Sequence, residues 1–254
     1  MGSKANIIFL RQSTGKVIWR GSTSRVFYKI FKRGDVQNWF GRYNKSNGTN
    51  YQIEELSFPS KIGGYPGKNY PYDYYTIWIK HEGEKDFMGE PTLEDLTQKY
   101  NVIIWKHCFP VGDILPDTGN GNEDSEEKRV ENYKLQYLKL KEKMHSFPNV
   151  TFIVWTGAAL TKGRSNQEKA QATKNFFTWV KEDWDEAGDN IYLWDFNELE
   201  TDGGLYMNDE YASGLVDPHP NKAFAKRVAP LFCQRIVDVI EGRGDSTPLT
   251  GLIK

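Results

Sequence analysis

Four short and almost uninterrupted apolar runs punctuate the chain, at residues 7–10, 102–105, 150–155 and 191–194. Runs this short without polar alternation suit strands covered on both faces, the setting of a parallel sheet. Polar stretches between them carry apolar residues at helical intervals. Val130, Tyr133, Tyr137, Leu140 and Met144 do so within 123–147, Ala170, Phe176, Phe177 and Val180 within 166–187, and Phe224, Val228, Leu231 and Ile236 within 220–241. Each segment gains one apolar face, which predicts a helix. The alternation predicts an α/β domain with a central parallel sheet, covered on both faces through right-handed crossovers. In such a sheet the ligand lies beyond the carboxyl ends of the strands.

Residues 34–89 break the pattern, being rich in Gly, Pro, Asn and Tyr, with one strand predicted at 52–58. The remainder of that segment reads as long surface loops, a rim that shapes a pocket rather than a domain of its own. Its aromatic run from Asn69 to Trp78 offers tyrosines for stacking on a sugar or acyl chain, although most of them are expected to pack the loop onto the domain. The end of the chain, 242–254, reads as a loosely held tail. With 254 residues, one domain over 1–254 accommodates all of this.

The 33 basic and 34 acidic residues nearly cancel, leaving neither a basic stripe for nucleic acid nor an acidic tail. No apolar run reaches the ~20 residues that a membrane span needs. The Met-Gly-Ser start fits a natural N-terminus or a replaced leader equally, so a soluble chain is expected and a secreted or periplasmic location stays open. Cys108 and Cys233 are too few for a disulfide framework and have no metal-ligand spacing, so no metal is expected. Eight Trp exceed what a small core needs and suggest a groove lined by some of them.

Two residue types carry the candidate chemistry. Ser13 stands just past the first strand, in Q-S-T-G, where the following residues open a helix. A hydroxyl there has the amide N–H groups and positive pole of the helix beside it, where oxyanion charge develops during acyl transfer. A serine at that position also serves as an ordinary helix cap. His219, in V-D-P-H-P-N, supplies a base, and its two flanking prolines stiffen the loop. Asp217 is placed to bond the second ring nitrogen and fix the tautomer.

An N-terminal strand ending in a serine turn, with a C-terminal Asp-containing H-P loop before the last helix, resembles the first and last sequence blocks of the SGNH (GDSL-type) hydrolases. The resemblance spans the chain and implies a three-layer α/β/α, flavodoxin-like fold. It implies an ester hydrolase working through a Ser-His-Asp acyl-enzyme mechanism without a cofactor, with Ser13 as nucleophile, His219 as base and Asp217 as orienting acid.

The sequence also departs from that family's pattern. R-Q-S-T-G stands in place of G-D-S, Asp217 precedes His219 by two positions rather than three, and no Gly-x-Asn follows the strand at 102–105. Asp202 and Asp209 are alternative partners for the histidine. Gly63, Gly64 and Gly67 are alternative oxyanion amides, with Gly63 the chosen one. Lys106 and His107, at the end of that strand, are the expected oxyanion or substrate-binding side chains; ordinary structural roles are equally open to both. Cys108 is expected to be a buried filler. Residues 156–160, small and apolar, are expected to face the pocket and set acyl size. The expected substrate is a short-acyl ester, with carbohydrate O-acetyl esters favoured. A non-hydrolytic glycan-binding domain and an O-acyltransferase are the alternatives.

Overall fold

The computed structural model describes residues 3–60 and 62–252. The first half of the chain forms β1 (Lys4–Arg11), α1 (Ser13–Arg20), α2 (Arg25–Phe31), α3 (Asp35–Asn47), β2 (Asn50–Ser57) and α4 (Pro71–Tyr75). The small hairpin β3 (Asp86–Phe87) and β4 (Glu90–Pro91) follows, then α5 (Leu93–Lys99) and β5 (Val102–Trp105). The second half forms α6 (Val130–His145), β6 (Thr151–Trp155), α7 (Gln167–Trp179), β7 (Ile191–Trp194) and α8 (Phe196–Thr201). A second hairpin, β8 (Ala212–Gly214) and β9 (Asp217–Pro220), leads into α9 (Lys222–Ile240).

The central sheet has five parallel strands in the order β2-β1-β5-β6-β7. Residues of one strand alternate between two cores. Ile8 and Leu10 of β1 pack with α4 to α7, while Ile7 and Phe9 pack with α1, α3 and α9. The protein is therefore a three-layer α/β/α domain, as the periodicity predicts. Phe9 shows how tight the second core is: its ring stacks on Trp155 at 4.9 Å and meets Phe232 at 5.1 Å. Truncating such a fully buried ring costs about 3–5 kcal/mol.

The chain leaves β1 in one direction to reach β2 and lies on the other side of β1 from β5 onward. This order, the one typical of flavodoxin-like sheets, opens a crevice where the carboxyl ends of β1 and β5 diverge. Ser13 follows the end of β1 by two residues and Cys108 follows that of β5 by three.

The predicted strands form as expected, with β2 observed at Asn50–Ser57. Helix boundaries shift for local reasons. Residues 123–129 precede α6 as a loop whose Glu123 and Ser125 carbonyls accept from Gln136 Nε2 at 3.0 Å each. α7 ends at Trp179 and continues as a π-helical turn, Val180–Trp184. Pro220 belongs to β9, so α9 starts at Lys222, capped by Asn221 Oδ1 accepting from the Phe224 N–H at 2.9 Å.

Two expectations are corrected. Residues 34–89 are not mainly loop: they contain α3, β2 and α4, and α4 continues as the π-helical turn Thr76–Lys80. Asp73 organises the start of α4 by accepting from the amides of Lys68, Asn69 and Tyr70 and from the Tyr65 hydroxyl. Nor is the tail loose over its described part. Buried Arg235 donates to the carbonyls of Leu193 and Gly244, while Trp194 Nε1 donates to the Thr250 carbonyl at 3.0 Å. The last two residues of the predicted tail, 253–254, lie outside the described residues.

Candidate active site

Ser13 is the first residue of α1, and its side chain is exposed at the crevice. Gln12 stays extended, with φ −117° and ψ −157°, so the chain turns sharply from strand to helix. Gly15 makes that turn possible. A Cβ there would come within 2.7 Å of Arg11 Cβ and 2.9 Å of both Phe9 Cζ and Lys106 Cδ, so only glycine lets α1 sit this close to the sheet. The opening amides of α1 have no intrahelical partner, and that of Thr14 is bonded to the Cys108 thiol. Ser13 Oγ lies 3.4 Å from Cys108 Sγ.

His219 is held from two sides. Asp217 Oδ1 accepts both the His219 ring at Nδ1, 2.6 Å away, and the His219 backbone N–H at 3.1 Å. The rings of Phe109 and His219 lie nearly perpendicular, with centroids 4.6 Å apart. An ionised carboxylate only accepts, so this contact puts the proton on Nδ1 and leaves Nε2 unprotonated when the ring is neutral. The bond from the His219 side chain, followed by that from its backbone amide, holds the Asp217 carboxyl below its ordinary range. Of the alternative acids, Asp202 instead accepts from Asn208 Nδ2 at 3.0 Å.

Ser13, Asp217 and His219 line one cleft of ≈ 660 Å³. Its other walls include Lys16 and Arg20 of α1, Thr23, Ser24 and Arg25, Ser213 of the β8–β9 hairpin, and Lys222 at the start of α9. The sequence reading thus named the Ser, His and Asp, and missed the four cations. Lys16 and Arg20 are four apart on a helix and so share a face, a signal that was readable. Lys222 joins them through the packing of α1 with α9 and the hairpin, and Arg25 through the short loop that leads from α1 into α2.

The three expected oxyanion residues do not line the cleft. Lys106 is 1 % exposed, lies under Gly15, and its Nζ has no hydrogen-bond partner among the described residues. Burial pushes its ammonium below the ordinary range. His107 is fully buried among the rings of Tyr74, Trp105 and Tyr137, at 5.2 to 5.6 Å, with neither ring nitrogen bonded. Burial, then the Lys106 charge, lowers its pKa well below the ordinary value, so it is a neutral core histidine. Gly63 packs on the backbone of the β3–β4 hairpin, where a Cβ would fall 1.7 Å from the Met88 carbonyl oxygen.

Residues 156–160 are buried and likewise absent from the cleft wall. Six of the eight Trp, namely Trp19, Trp78, Trp105, Trp155, Trp184 and Trp194, are fully buried, so the aromatic richness belongs to the cores. Tyr70, Tyr74 and Tyr75 are buried too.

Cys108 is buried, as expected, and its thiol also meets polar groups. Burial alone would raise its thiol pKa, but Lys106, the Ser13 hydroxyl and the amides of Phe109 and Thr14 outweigh it and lower the net value. Glu200 completes this covered layer. It accepts from the Ala159 N–H, and burial raises its carboxyl pKa well above the ordinary value. Cys233, by contrast, is fully buried and its thiol pKa is pushed well up by burial.

Among the described residues no group of three or more His, Cys, Asp or Glu is arranged to hold a metal ion, and no helix is long and apolar enough to cross a membrane. Comparison with protein-family models, with curated proteins and with solved structures returned no match for this chain.

Proposed function

We propose that this protein is a serine ester hydrolase of the SGNH kind. The observation that carries the reading is the Asp217–His219 pair, already bonded at 2.6 Å, opening on the same cleft as Ser13 at the switch point of the sheet. In the proposed reaction Ser13 Oγ attacks the ester carbonyl while His219 Nε2 takes its proton. Asp217 stabilises the imidazolium that results. Opening amides of α1 other than that of Thr14, which is bonded to Cys108, receive the charge that develops on the carbonyl oxygen. Return of the proton expels the alcohol, and water then attacks the acyl-enzyme by the same route.

A non-hydrolytic glycan site is the weaker reading. Sugar binding commonly uses stacked aromatic rings, and among the described residues no Phe, Tyr or Trp lines this cleft. One observation does favour a binding-only site: among the described residues Ser13 is hydrogen-bonded to Cys108 and not to His219. Transfer to an alcohol acceptor would use the same acyl-enzyme, and product analysis with an added acceptor distinguishes it from hydrolysis.

The test is p-nitrophenyl acetate turnover by the parent protein, Ser13→Ala and His219→Ala, combined with fluorophosphonate labelling and mass mapping. The expected result is an adduct on Ser13 and a fall of about 10³-fold or more in turnover for each variant. Equal background rates in all three proteins, with no adduct, would reject the hydrolase.

A further inference from the structure

The cleft carries a charge that the proposed acyl transfer does not use. Lys16, Arg20, Arg25 and Lys222 line it, against the single carboxylate of Asp217, which is already bonded to His219. Among the described residues none of the four is ion-paired with a carboxylate; Lys16 instead lies 5.8 Å from the centroid of the Tyr28 ring. Between Arg20 and Gly34 the sequence has Arg25, Lys29, Lys32 and Arg33 and not one acidic residue.

The placement runs against local electrostatics. Lys222 opens α9, and no acidic residue occupies the first turn of α9 or of α1. A cation at the positive pole of a helix is destabilising. Arg20 is half-buried; burial, then the neighbouring charge of Arg25, lowers its pKa. Gathering like charges in a concave, partly desolvated wall is unfavourable until an anion enters it. Of the hydroxyls on the same wall, Ser24 accepts from the Phe27 N–H and keeps its own proton as a neutral donor, whereas those of Thr23 and Ser213 are donated to Asp35 and to the Pro220 carbonyl.

We infer that Arg20 and Arg25, supported by Lys16 and Lys222, form an oxyanion-binding subsite beside Ser13. Its ligand class is a phosphate, sulfate or carboxylate carried by the substrate. Two guanidinium groups suit such a ligand because each presents paired N–H donors to paired oxygens. Extended to catalysis, and resting there on the hydrolase reading above, the substrate is an anionic ester whose charged group is held here while its acyl carbonyl meets Ser13.

Calorimetric titration with inorganic phosphate tests the subsite without turnover, using Ser13→Ala as the parent. The double variant Arg20→Gln/Arg25→Gln should weaken phosphate binding by about tenfold or more. Lys29→Gln, an exposed cation of α2 off the cleft wall, should leave it unchanged. Thermal melts of the variants establish that they are folded. A second arm compares hydrolysis of 2-naphthyl acetate with that of its 6-sulfonate by the otherwise native protein. The sulfonate should be preferred by about tenfold in kcat/KM, and the preference should collapse in Arg20→Gln/Arg25→Gln.

Phosphate binding that needs the two arginines, with neither ester hydrolysed, keeps the subsite and rejects the esterase. Hydrolysis without a sulfonate preference, together with phosphate affinity that is absent or unchanged in the folded double variant, overturns the subsite and leaves the esterase standing.

Discussion

Ser13 Oγ and Cys108 Sγ meet at 3.4 Å across the divergence of β1 and β5, so the candidate nucleophile is in contact with a thiol on the neighbouring strand's loop. The thiol pKa is lowered by Lys106, by the Ser13 hydroxyl and by two amides, against the opposing effect of burial. A lowered pKa means that the thiolate is present at lower pH than in an ordinary cysteine. Iodoacetamide should therefore modify Cys108 ahead of Cys233, with a rate that rises through a midpoint below the ordinary 9.0. Lys106→Met and Ser13→Ala each remove a stabilising interaction and should move that midpoint up. Mass mapping of alkylation against pH checks this, and identical midpoints in all three proteins would show that neither group acts on the thiol.

The pairing of Asp217 with His219 predicts a kinetic rather than a structural defect when it is broken. Asp217→Asn loses an obligatory acceptor for Nδ1–H, so the ring can present the wrong nitrogen to Ser13. Asp217 is more than half exposed, which weakens its hold compared with a buried triad acid. A fall of about 10–100-fold in kcat, with KM little changed, is expected on p-nitrophenyl acetate. Unaltered kcat would mean that Phe109 alone orients the imidazole. Because its folded pKa lies below 3.8, Asp217 remains ionised there, and any acid loss of activity at higher pH has another origin.

The layers of the fold were legible because runs such as Val102–Trp105 have no polar position to spare, a pattern that only a strand covered twice explains. Asp217 and His219 were legible because they are neighbours in sequence. α3 was not, since Gly41, Asn44 and Asn47 depress helix propensity and the stretch reads as loop until Val36 and Phe40 find α9 and β2. Lys106 and His107 misled for a steric reason. A strand end promises exposure, but Gly15 leaves room for the Lys106 stem beneath α1, and the facing rings enclose His107. The cationic wall was hidden by an overall charge of −1, which averages over positions that only the topology brings together.

Asp185, just past the π-helical turn Val180–Trp184, is a built-in source of pH-dependent stability. Burial first, and then the charges of Asp189 and Asp245, raise its carboxyl from 3.8 to about 6, against the opposing charge of Arg235. Between those values the folded chain holds a proton that the unfolded chain has lost, so stability falls as pH rises through that window. Asp185→Asn removes the charge and should raise Tm at pH 8 by about 2–4 °C, after discounting for the solvent that still reaches the group. Below about pH 4 both proteins are neutral at this position and the gain should vanish. Melts at the two pH values decide it; a gain that persists in acid would trace to packing instead.

Asp35 has the opposite sign and ties stability to the cleft. As the first residue of α3 it accepts from the Ser22 N–H at 2.6 Å, the Ser22 hydroxyl at 2.7 Å and the Thr23 hydroxyl at 2.6 Å, fixing the loop that carries Thr23 and Ser24 onto the cleft wall. Gly21, at φ 55°, gives this carboxylate its room, since a Cβ there would fall 2.4 Å from Asp35 Oδ2. Burial pushes the carboxyl up, but these bonds outweigh it and hold the net pKa below 3.8. The stabilisation is therefore complete above the unfolded value of about 4 and is lost as pH falls through the lowered folded value. Asp35→Asn should cost about 1–2 kcal/mol in urea unfolding at pH 7, allowing for solvent screening, and much less in strong acid, where the parent has lost its charge too. The variant should also bind inorganic phosphate more weakly, because the freed loop no longer holds Arg25 against the cleft. A stability loss of equal size at both pH values, with phosphate affinity intact, would show that the carboxylate charge neither stabilises the loop nor shapes the anion subsite.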